Sequence, residues 1–137
     1  MTAITDDELV AAAWAARERA LCDYSNFAVG AAFEDESGEI WTGANVENAS
    51  YGLCLCAERV AIAAAVTNGQ SRFRAIVVAT EGPRPAAPCG MCRQVMVEFP
   101  PSFEVRCISA TSDARIETDV ASLLPYAFDG GYLADDD

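Results

Sequence analysis

The chain has 137 residues, enough for one hydrophobic core over residues 1–137 and too few for two comfortable domains. Apolar residues make up 52% against 22% charged, which excludes a disordered chain, and no apolar run approaches the ~20 residues needed to cross a bilayer. A formal net charge of -12, from 21 acidic and 9 basic residues, repels phosphate backbones and argues against a nucleic-acid partner.

Asp6 to Leu21 has helical spacing, with Leu9, Val10, Ala13, Trp14 and Arg17 in phase and acidic residues in the first turn. Phe27 to Glu34 and Ile40 to Val46 read as strands joined by a hairpin turn at Asp35-Glu36-Ser37-Gly38. Cys56 to Val66 is alanine-rich and predicts a helix stopping near Asn68-Gly69. Phe73 to Thr80 contains a continuous apolar run, the pattern of a strand buried on both faces. Three prolines make Glu81 to Pro88 a loop. Gly90 to Phe99 predicts a further helix, stopped by Pro100-Pro101. Glu104 to Ser109 and Arg115 to Thr118 are strands, and Val120 to Leu124 is a short helix; a frayed tail is expected from Ala134 on. This order predicts an α/β sandwich, with the sheet between helical layers.

Six cysteines in so short a chain would fit a disulfide framework only in a secreted protein. The N-terminus is acidic where a secretory signal is basic, so a cytoplasmic location and a metal site are expected instead. No histidine is present, which excludes imidazole-based catalysis and His-ligated zinc. All nine basic residues are arginine, and this acidic, lysine-free composition fits a protein working in concentrated salt.

Two clusters carry chemistry: Cys56-Ala57-Glu58 and Pro88-Cys89-Gly90-Met91-Cys92, each opening a predicted helix. Thiolates from Cys56, Cys89 and Cys92 can hold one Zn²⁺ and leave its fourth tetrahedral position to water. Glu58, two residues beyond Cys56, can reach that position as a general acid–base without being a ligand. Arg59 and Arg93 adjoin the motifs and are candidates to offset the charge of three thiolates by donating to sulfur. Cys54 has the wrong spacing to Glu58 for a ligand, and Cys22 and Cys107 read as small core residues. A closed structural zinc module engaging a partner protein would want a fourth ligand and has no use for Glu58.

A cysteine followed two residues later by glutamate, then Pro-Cys-x-x-Cys, is the three-cysteine form of the zinc deaminase signature. With it stand Tyr24-Ser25-Asn26-Phe27-Ala28-Val29-Gly30, Asn45-Val46-Glu47-Asn48 and Leu123-Leu124-Pro125-Tyr126-Ala127-Phe128. In these segments the chain resembles the small, homotetrameric, zinc-dependent cytidine deaminases over nearly its whole length. The resemblance implies a three-layer α/β/α sandwich with a mixed five-stranded sheet, and hydrolytic deamination of free cytidine or deoxycytidine. It implies that Asn45 and Glu47 bind ribose hydroxyls, that Phe27 packs on the nucleoside, and that Phe128 covers the base in a neighbouring subunit. Backbone groups at Ala57 and Cys89 would read the pyrimidine edge. The related blasticidin S deaminases share the zinc core but lack the Asn-Val-Glu-Asn segment in this form, so Glu47 favours a nucleoside.

Overall fold

The computed structural model describes residues 6–134. Residues 1–5 and the last three residues of the expected frayed tail lie outside the described residues. In chain order the elements are α1 (Asp6–Arg17), β1 (Val29–Asp35), β2 (Ile40–Ala44), α2 (Ala57–Thr67), β3 (Phe73–Thr80), α3 (Gly90–Val97), β4 (Glu104–Ser109), β5 (Arg115–Asp119) and α4 (Val120–Leu123). Two 3-10 turns, Tyr51–Leu53 and Gly130–Tyr132, complete them.

The five strands form one mixed sheet in the order β2-β1-β3-β4-β5. β1 runs antiparallel to both β2 and β3, β3 and β4 are parallel, and β5 returns antiparallel to β4. A parallel pair needs a crossover, and α3 supplies it between β3 and β4. β3 lies centrally and divides its side chains between two cores, as strand alternation requires. Ile76 and Val78 join Phe33, Val105 and Cys107 beneath α2, α3 and α4. Ala75, Val77 and Ala79 join Leu9 and Ala13 of α1 on the opposite face. The expected three layers are therefore present, with α1 the one helix on its face among the described residues.

Two glycines let the helices sit this close. A Cβ on Gly30 would lie 2.0 Å from the Ala13 carbonyl oxygen of α1. One on Gly43 would lie 2.5 Å from both the Ala57 carbonyl oxygen and the Ala61 amide nitrogen. Both obstacles are backbone atoms, so neither can swing aside. Gly43 thus sets the height of the α2 N-terminus above the sheet.

Asp35 closes the β1–β2 hairpin. Fully buried, its carboxylate accepts from the Ser37 amide and hydroxyl, the Glu39 amide and the Trp41 indole at 2.6–3.0 Å. Burial pushes the Asp35 carboxyl up, but these four donors outweigh it and hold the group below its ordinary value.

Element ends differ from the sequence expectation where tertiary pairing competes. α1 stops at Arg17 rather than Leu21, because Leu21 is drawn into a parallel bridge with Val46 and donates to the Asn45 carbonyl. β2 ends at Ala44, so Asn45 and Glu47 lie beyond the strand, on either side of the bridged Val46. α3 ends at Val97 rather than Phe99, as residues preceding proline avoid helical geometry. Cys107 is buried as expected, whereas Cys22 is only half-buried.

Gly43→Ala is expected to lower stability by about 1–3 kcal/mol through forced separation of α2 from the sheet. Thermal unfolding of the variant beside wild type checks this, and an unchanged melting temperature would refute the close-approach account.

Candidate active site

The site is built where two helices begin. Cys56 is the N-cap of α2 and Cys89 the N-cap of α3; both have extended backbone, and neither side chain caps its own helix. An ordinary N-cap oxygen would fold back onto the helix amides. Here the sulfurs are left free, beside helix N-termini whose partial positive charge favours thiolates. Cys92 is the third residue of α3, and side chains at N-cap and N3 face one another as in a capping box. That is why Cys-x-x-Cys at a helix start brings two sulfurs together.

Three sulfurs, those of Cys56, Cys89 and Cys92, lie within 4.8 Å of one another. Cys56 and Cys89 Sγ are 3.7 Å apart, close to the ~3.8 Å edge that a tetrahedral ion with Zn–S bonds of about 2.3 Å demands. Cys54 is turned elsewhere: its sulfur accepts from the Asn48 amide at 3.3 Å. Arg59 Nη2 donates to the Cys54 carbonyl at 3.2 Å and approaches Cys56 Sγ at 3.7 Å, while its buried Nε has no partner among the described residues. Three converging thiols at two helix N-termini, with the Arg59 guanidinium against Cys56 to balance thiolate charge, together fit a Zn²⁺ ion. A hydrogen bond from Cys92 draws the Cys56 thiol down to about 5, against burial and with help from Arg59. That hydrogen bond, together with burial, pushes Cys92 up.

Arg93 differs from expectation. Its Nε donates to the Pro88 carbonyl at 2.7 Å and its Nη1 to the Leu123 carbonyl at 3.0 Å, so its reach goes to backbone rather than to sulfur. Helical side chains lean toward their own N-terminus, where these carbonyls await a donor. Arg93 thereby ties the Pro88-Cys89 turn to the end of α4.

Glu58, the second residue of α2, is buried at 5% exposure beside the sulfurs. Burial pushes its carboxyl up to about 7, with the neighbouring Cys56 thiolate adding to the rise and Arg59 opposing it. A carboxyl poised near neutrality both takes and returns a proton readily.

A cavity of about 350 Å³ opens onto this cluster, lined by Cys56, Ala57, Glu58 and Cys89 together with Ser25, Phe27, Asn45 and Glu47. Val78 and Thr80 of β3 form part of its wall. The volume suits a small molecule. Asn45 is buried, and its amide spans the Phe27 segment: Nδ2 donates to the Phe27 carbonyl at 2.8 Å and Oδ1 accepts from the Val29 amide at 2.9 Å. Glu47 Oε1 accepts from the Tyr24 and Ser25 amides at 3.1 and 3.0 Å, and Oε2 from the Ser25 hydroxyl. Phe128 is outside the cavity lining; it stacks on Tyr132 with ring centroids 5.2 Å apart, and its carbonyl accepts from Gln94. Sequence reasoning assigned no role to Ser25, although it lies inside the Tyr-Ser-Asn-Phe segment.

Residues 3–108 match the model of the cytidine and deoxycytidylate deaminase zinc-binding region. Among curated proteins, the cytidine deaminase of Sporosarcina psychrophila is 44% identical over 123 residues, covering 89% of this chain and 90% of the relative. That of Halalkalibacterium halodurans is 44% identical over 120 residues, covering 88% and 91%. The crystal structure of cytidine deaminase from Burkholderia pseudomallei superposes with a TM-score of 0.87 at 48% identity, covering 91% of this chain and all of that one.

Cys89→Ala is expected to leave the purified protein with substoichiometric zinc, while Cys54→Ala keeps a full complement. Metal analysis of both variants checks the ligand set, and full occupancy in Cys89→Ala would contradict it.

Proposed function

The chain belongs to the cytidine and deoxycytidylate deaminase family, and from that membership we propose that it deaminates free cytidine and deoxycytidine by hydrolysis. The observation that carries this reading is the buried Glu58 carboxyl beside three convergent thiols, on a cavity sized for a nucleoside. Cys56, Cys89 and Cys92 hold Zn²⁺. When bound, the ion supplies an open fourth position at which water is acidified toward neutral pH.

The residues of the chain do the rest. Glu58 takes a proton from the attacking water and delivers it to N3 of the base as oxygen adds at C4. It then takes the remaining proton from the oxygen added at C4 and passes it to the 4-amino group; the C4–N bond breaks, ammonia leaves and uridine or deoxyuridine remains. Backbone groups at Ala57 and Cys89 read the pyrimidine edge, Phe27 packs on the nucleoside, and Asn45 and Glu47 meet ribose hydroxyls. Arg59 balances the thiolate charge.

Two features support a free nucleoside over a polymer. The charge of -12 repels a phosphate backbone, and the Glu47 carboxylate opposes an anion in the cavity. Among the described residues no helix is long and apolar enough to cross a membrane.

Assembly as a homotetramer is part of the same proposal. Leu53, Tyr126, Phe128, Tyr132 and Leu133 are all more than half exposed, apolar surface that copies of the chain would cover. Phe128 then serves a neighbouring cavity. The lysine-free acidic surface further supports function in concentrated salt, so activity is expected to be higher in about 2 M than in about 0.1 M KCl. Equal or lower rates at high salt would refute that part.

Glu58→Gln is expected to retain zinc yet lose about 10²–10⁴ in turnover of cytidine, followed by its ultraviolet absorbance. Preserved turnover would remove Glu58 from the chemistry.

A further inference from the structure

An ionised carboxylate has about four acceptor positions, and at Glu47 three are already taken. Oε1 accepts from the Tyr24 and Ser25 amides, and Oε2 from the Ser25 hydroxyl. One lone pair remains, on Oε2. The Ser25 hydroxyl has a fixed sense, because an ionised carboxylate only accepts: its proton goes to Glu47, while its oxygen accepts from the Phe27 amide at 3.0 Å. Having no proton left for a ligand, Ser25 acts through its neighbour although it lines the same cavity.

We propose that Ser25 is a positioning residue for sugar recognition, orienting Glu47 so that its single free lone pair meets a ribose hydroxyl of the substrate. This rests on the reading of Glu47 as a ribose contact. That lone pair needs a hydrogen-bond donor, which on a sugar is a hydroxyl; an ether or a phosphate ester there leaves it unpaired or repelled. Ser25 also keeps the acceptor charged: its hydroxyl and then its amide hold the Glu47 carboxyl below the ordinary value. The same hydroxyl couples Glu47 to the segment bearing Phe27, so sugar and base contacts are set by one linkage.

The experiment compares KM and kcat for cytidine and for 2′,3′-dideoxycytidine, which lacks both secondary hydroxyls, in the zinc-loaded wild type, Ser25→Ala, Ser25→Thr, Glu47→Ala and the double variant. Ser25→Ala is expected to raise KM for cytidine about tenfold with little change in kcat. KM for the dideoxynucleoside stays unchanged, and Ser25→Thr restores most of the loss. In the Glu47→Ala background, Ser25→Ala adds nothing. Equal KM increases for both substrates, or additive effects in the double variant, would show that Ser25 merely stiffens the Phe27 segment and overturn the proposal. Unchanged cytidine kinetics in Ser25→Ala, with the wild type still discriminating, would overturn it alone. A wild type that does not discriminate would instead overturn the ribose reading beneath it.

Discussion

Two helix N-termini that point at the same few cubic ångströms are the constraint on which the site depends. Cys56 and Cys89 occupy the N-cap positions of α2 and α3 and leave their own helices uncapped. Their sulfurs are turned toward the shared cluster instead, where the partial positive charge of a helix N-terminus suits an anionic ligand set. The sulfurs converge only if α2 lies close enough to the sheet. Gly43, with no room for a side chain against Ala57 and Ala61, fixes that approach. Metal geometry in this chain is therefore a consequence of helix–sheet packing on one face, while α1 closes the other without touching the chemistry.

The same economy governs the rest of the cavity. Asn45 and Glu47 do not wait unpaired for a ligand; each is mostly committed to the segment from Tyr24 to Val29. Their remaining hydrogen-bonding capacity is small and directional, the condition under which polar groups discriminate rather than merely attract. A buried amide that fixes a loop loses little freedom when a ligand arrives.

Much of this was legible in the residues themselves. β3 and β4 have the predicted ends: a continuous apolar run marks β3, and prolines lie in the loops just after β3 and just before β4. The metal cluster was legible because cysteine and glutamate spacing at helix starts leaves few alternatives, and the histidine-free composition removes the usual ones. What was not legible depends on partners remote in the chain. The α1 terminus is decided by Val46, and Arg93 is drawn to Leu123, thirty residues away. Ser25 was missed because a serine before a Phe-bearing segment reads as a turn residue until Glu47 is seen beside it.

The central claim is that zinc on three thiolates and nucleoside deamination are one function of this chain. It is tested most directly by titrating zinc back into chelator-stripped protein while measuring uridine and ammonia released from cytidine. The account predicts equimolar products and a rate that rises in proportion to occupancy and saturates at one zinc per chain. Turnover that persists in fully stripped protein, or a fully loaded protein that releases neither product, would contradict it.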